Sequence, residues 1–146
     1  MKKLFIQLLV AGFVATGVGV APASAELPTP EAALAAYDTA VSNYDSALAA
    51  YVDAGRPKGG FKAVKVAYKA VVKGHIKATN AIGVAFRKAV KAAKVARKAA
   101  VDAATTVEEK KAARTAYNEA VASLISTRES QMADLGSLPA VPSRKG

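Results

Sequence analysis

The residues able to do chemistry are few: one imidazole, His75, and no thiol in 146 residues. Without cysteine there is no disulfide framework, thiolate zinc site, iron–sulfur cluster or lipid-modified cysteine. A single histidine does not complete the usual zinc sites or a nucleophile–base pair. H-E-x-x-H, G-x-S-x-G and G-x-x-x-x-G-K-[ST] do not occur. Gly55–Gly60 is glycine-rich and basic, yet no strand leads into it, so it reads as a turn between helices rather than a phosphate cradle. Glu108 and Glu109 stand side by side at a helix start, where capping and the helix dipole account for acids. This inventory points away from an enzyme and calls for no metal or cofactor.

What the chain has in quantity is positive charge. On a wheel of about 100° per residue, Lys62, Lys65, Lys69, Lys73, Lys77, Arg87, Lys88, Lys91, Lys94 and Lys98 share one side. Phe61, Val64, Tyr68, Val71, His75, Ile82, Phe86 and Val90 share the other. Arg97 lies at the border, and Val66, Val84 and Val95 sit among the lysines. Such a cationic row, about 50 Å long, suits a linear polyanion: teichoic acids, acidic lipids or extracellular nucleic acid. The plainer reading is a solvated outer face on a structural or scaffolding protein. That reading is the first expectation, with polyanion adhesion as its alternative. His75, in the middle of the apolar stripe, is expected as a buried, neutral core imidazole.

Three helical patterns must position these residues, and charge divides the chain at the same places. Glu26–Gly55 carries five acids and no base, Arg56–Val101 thirteen bases and no acid, and Asp102–Leu135 six acids and four bases. The first helix is expected over about 30–54, with Thr29 as cap and Pro30 at the first turn. Leu34, Tyr37, Val41, Tyr44, Leu48 and Tyr51 recur along it at 3-4 spacing, a coiled-coil seam on which self-association is expected. The second helix runs over 61–103, with weak points at Gly74 and at Thr79–Gly83. The third runs over 106–135, opened by a Thr106/Glu109 capping box and lined by Tyr117, Val121, Leu124, Ile125, Met132 and Leu135. Arg128, near the middle of that line, is expected to snorkel or to pair with an acid.

The expected fold is all-α: an elongated antiparallel three-helix bundle or coiled coil, a single domain over 26–136. The basic helix is its spine. The first helix should cover the spine along Phe61–Ile82 and the third along His75–Ala103. Thirty-five alanines let helix axes approach closely but bury little apolar area. Ser137–Gly146 reads as a disordered basic tail.

Lys2 and Lys3, the apolar Leu4–Val20 and Ala23-Ser24-Ala25 follow signal-peptide grammar, so cleavage after Ala25 and a secreted or cell-envelope location are expected. Lys88–Ala100 resembles the Lys/Ala-rich tails of linker histones and bacterial histone-like proteins over about a dozen residues, a function the leader opposes. The whole layout resembles small secreted Ala/Lys-rich helical proteins of the actinobacterial type, which implies export and helices but no activity. Size, basicity and export are also similar to those of coiled-coil periplasmic chaperones, whose β-rich body has no counterpart here.

Overall fold

The structure, a computed structural model, describes residues 28–144; the leader read in residues 1–25 lies outside them. Three helices follow in order: α1 (Pro30–Asp53), α2 (Phe61–Ala103) and α3 (Val107–Leu135). The chain forms an all-α three-helix bundle in which α1 and α3 each pack on α2 and touch each other little. No described helix is long and apolar enough to cross a membrane.

The helix ends arise from local chemistry. Thr29 caps α1 by accepting the Ala32 N–H, with Pro30 in the first turn. The exit from α1 is a Schellman motif: Gly55, at φ 74°, donates its N–H to the Val52 carbonyl, and the Arg56 N–H bonds Tyr51. Arg56 also lies in the left-handed region, at φ 57°, a conformation that costs a non-glycine residue about 1 kcal/mol. At the start of α3, Thr106 Oγ1 accepts the Glu109 N–H, and Glu109 Oε2 accepts the N–H groups of Thr105 and Thr106. The expected capping box is therefore present.

α2 runs unbroken for 43 residues, about 65 Å, straight through its two weak points. Packing explains this. Ala78, Ala81 and Ile82 in that stretch are buried, and the backbone of Tyr37 lies against Gly74, where an added Cβ would sit 3.4 Å from its Cα. A helical glycine costs about 1 kcal/mol, an amount that burial of neighbouring apolar side chains offsets.

α1 and α2 run antiparallel, joined by three ring pairs: Tyr37 with His75, Tyr44 with Tyr68, and Tyr51 with Phe61, at centroid distances of 5.4, 5.5 and 5.5 Å. Each step of the ladder is one heptad on both helices, so the seam stays in register from end to end. α3 is antiparallel to the other half of α2, with Arg97 over the Tyr117 ring at 4.6 Å and Arg128 over Phe86 at 5.4 Å. The C-terminal end of α3 meets the N-terminal end of α1 beside the middle of the spine, where Gln131 donates to Glu31.

Two expectations need correction, and the surface named in a third is used within the chain. Residues 137–144 do not form a free tail. Gly136, at φ 61°, turns the chain off α3 and lays it in the groove between α1 and α2. There the hydroxyls of Tyr37, Tyr44 and Tyr68 donate to the carbonyls of Ser137, Ala140 and Pro139. The seam assigned to self-association is also occupied within the chain: Tyr37, Tyr44 and Tyr51 are buried, and Leu34, Val41 and Leu48 pack partly buried against the same core. Finally, His75 is half-buried rather than sealed in the core. Its Nε2 lies 3.3 Å from the Gly136 carbonyl, which can only accept, so this nitrogen carries the hydrogen.

Candidate polyanion-binding face

α2 positions the basic side chains by exclusion. Its apolar side is covered by α1, α3 and the tail, so the opposite side is left to solvent. Lys62, Lys65, Lys69, Lys73, Lys77, Arg87, Lys88, Lys91, Lys94 and Lys98 are all exposed, as the wheel requires. They form two clusters, Lys62–Lys77 behind the aromatic ladder and Arg87–Lys98 behind the α3 contact, together spanning about 54 Å of helix. Between them lie the buried Ala78, Ala81 and Ile82.

The row is not neutralised. No acid occurs on α2 before Asp102, and among the described residues none of the ten side chains enters a hydrogen bond or ion pair. Lysines at i and i+4, such as Lys65, Lys69, Lys73 and Lys77, repel by a few tenths of a kcal/mol per pair. Val66 and Val95 are 60% and 63% exposed within the row, which gives each cluster one apolar contact point.

The tertiary structure adds cations that helical periodicity does not reveal. Lys58 of the interhelix turn and Arg144 of the tail join Lys62, Lys65 and Lys69 around an open concavity of about 490 Å³, with Phe61 and Val66 in its wall. Arg144 is held there by its guanidinium, 5.4 Å from the centre of the Phe61 ring. A smaller hollow of about 220 Å³ at the middle of the spine brings Arg87 beside Arg128, with Thr79, Asn80, Gly83 and Met132. Of the two placements expected of Arg128, snorkelling along apolar surface is the one seen: its guanidinium lies over the Phe86 ring, as that of Arg97 lies over Tyr117. The only sequence signal for Arg144 is its sign; its place depends on the docking of a segment that has no helical period.

Among the described residues, titration is perturbed at three groups. Burial pushes the Tyr37 hydroxyl up, with a smaller push from Asp38. The Tyr44 hydroxyl is raised by burial, then by Tyr68 and Asp45. Glu109 is lowered by the backbone N–H groups of Thr105 and Thr106, which bond its carboxylate. All three serve the fold rather than the basic row. Comparison of the chain with protein-family models, curated proteins and solved structures finds no match.

Proposed function

We propose that this chain is a non-catalytic exported protein of the cell envelope whose long helix acts as a spine and adheres, through its basic face, to a linear phosphate-rich polymer. The observation that supports the reading is the unneutralised row of ten exposed cations on one unbroken helix. A face serving only solubility is better built from interspersed charges of both signs, which avoid like-charge repulsion. Here the repulsion is retained over the length of the helix, and a polyanion would relieve it while releasing its own counterions.

The test is binding of the mature protein to a purified lipoteichoic acid across a salt series. The logarithm of the binding constant should fall linearly with the logarithm of salt, by roughly 0.7 to 0.9 per phosphate neutralised. Replacing Lys62, Lys69, Lys73, Lys91 and Lys98 with Gln should remove most of the affinity and flatten the slope, with helix content unchanged by circular dichroism. A scaffold whose lysines merely solvate its outer face requires the opposite result: equal retention of wild type, quintuple variant and a scrambled peptide of equal charge at physiological salt.

A further inference from the structure

We propose that the end of the bundle where the tail meets the N-terminal end of α2 is a site for a short chain of linked phosphates, a soluble diphosphate or triphosphate, and that docking of the tail completes it. Three separate segments deliver its charge. Lys62, Lys65 and Lys69 come from α2, Lys58 from the interhelix turn and Arg144 from the tail, all around one open concavity of about 490 Å³. Among the described residues no acid lines it, and no hydrogen bond or ion pair engages any of the five.

Convergence distinguishes this place from the rest of the row. Lysines along a helix face meet a linear polymer one charge at a time, whereas five cations around one hollow face the same guest. A phosphodiester brings a single negative charge and a terminal phosphate about −1.5 to −2 at neutral pH. Two or three linked phosphates therefore match the cluster better than one unit of a diester polymer. They also suit its mixed donors, lysines as mobile point charges and arginine as a planar fork. The Arg144 guanidinium lies over the Phe61 ring, 5.4 Å from its centre, and a stacked guanidinium keeps its N–H edge available to an anion. Phe61 is itself buried, and Val66 is the one exposed apolar side chain among the described lining residues. A single valine is too little surface to seat acyl chains, so the phosphate is a soluble one rather than a lipid headgroup.

The tail acts as a positioning strap. The hydroxyls of Tyr37, Tyr44 and Tyr68 hold the Ser137, Ala140 and Pro139 carbonyls, and the chain beyond them carries Arg144 to the lysines. These bonds measure 3.1 to 3.4 Å, long for O–H···O, and the segment they hold brings a cation into a cationic hollow. A bound anion removes that repulsion and so favours the docked tail; by linkage, the docked tail favours the anion. The proposal deepens the polyanion reading and rests on it for Lys62, Lys65 and Lys69, while Lys58 and Arg144 lie outside the ten-cation row.

The test is calorimetric titration of the full mature chain with sodium tripolyphosphate near physiological salt. One equivalent should bind. Lys58→Gln with Arg144→Gln should weaken it about tenfold or more, the effect of losing hydrogen bonds to a charged group. Lys91→Gln with Lys98→Gln removes the same charge more than about 30 Å away along the helix, several screening lengths, and should change affinity less than about twofold. Tyr44→Phe with Tyr68→Phe should also weaken binding at constant helix content. In that background Arg144→Gln should add little, a non-additivity that a merely structural role of the hydroxyls does not produce. Equal weakening by both charge-removing pairs, or no saturable binding, overturns the proposal. So would vesicles of phosphatidic acid whose binding depends on Lys58 and Arg144 more strongly than that of tripolyphosphate. Lipoteichoic acid binding by the same variants separates the two readings. Retained polymer binding without a tripolyphosphate site overturns the site alone, and a tripolyphosphate site without polymer binding removes the adhesive row and upholds the site.

Discussion

Between Phe61 and Ile82, α2 buries six side chains; between Gly83 and Ala103 it buries none. The two halves belong to one continuous helix and each lies against an antiparallel partner, so helix propensity is not what separates them. The difference lies in how many elements close around the seam. In the first half, α1 covers one flank of α2 and the tail fills the groove, and three aromatic pairs line the seam. In the second half α3 is the sole partner. Tyr117, Val121 and Leu124 are half-buried there, and Ile125 is 41% exposed. Two helices alone leave both edges of their seam in water. Arg97 and Arg128 lie over Tyr117 and Phe86 along it, shielding a ring while keeping the charge wet.

The largest effect expected from this contrast is in truncation mutants. Val71→Ala, at a site with no exposed surface, should cost about 2 kcal/mol of unfolding free energy. Ile125→Ala removes more atoms but should stay within roughly 0.5 kcal/mol. Denaturant titration followed by circular dichroism measures both, and equal costs would erase the distinction between the halves. Hydrogen exchange sharpens it further: amides of α3 before Met132 should exchange faster than those facing the ladder, since little buried area protects them.

An intermediate effect is expected in alkali. Tyr37 and Tyr44 have raised folded-state pKa values, so the unfolded chain loses these protons first and stability should fall as pH rises above the ordinary tyrosine value of about 10. A tyrosinate no longer donates to a tail carbonyl, so the tail should leave the groove in the same range. Tyrosinate absorbance and a fluorophore at position 141 should report one coupled transition. Tail release well below that range would separate tail docking from the ladder.

The smallest effect belongs to the start of α3. The folded-state pKa of Glu109 is lowered, so its capping contribution is present above the unfolded carboxylate value and is lost as pH falls through the folded one. Mild acid should fray Val107–Lys110 while leaving the ladder intact, and Glu109→Gln should remove that pH dependence in amide exchange. Simultaneous loss of both halves in mild acid would mean that the spine melts as one unit.

Helix limits were legible to within a residue or two because caps act locally: Thr29, Gly55 and the Thr106/Glu109 box each bond within a few residues. The exposed row was legible for the same reason, since a period of 3.6 residues places lysines opposite valines whatever packs on the valines. The docking of the tail is not legible, because Ser137–Gly146 has no period and is rich in proline, serine and charge, a composition that marks undocked chain when no receptor surface is known. The tyrosine seam and its cover by the Phe61–Ile82 part of the spine are legible, because each helix presents one apolar stripe; the tail that closes the groove is not, because a heptad pattern does not name a covering segment that lacks one.

By itself, then, the order of residues determined three helices, their caps, the acidic, basic and mixed blocks and the outward turn of the lysine row, all properties set within one or two helical turns. Tertiary structure decided the pairing of Tyr37, Tyr44 and Tyr51 with His75, Tyr68 and Phe61, the continuity of α2 past Gly74, and the stacking of Arg97 and Arg128 on rings. It also brought the tail carbonyls to hydroxyl and imidazole donors 61 to 100 residues away in the chain. Contacts at such separation form only when whole faces meet, and which faces meet depends on the total apolar area that the assembled bundle can withdraw from water.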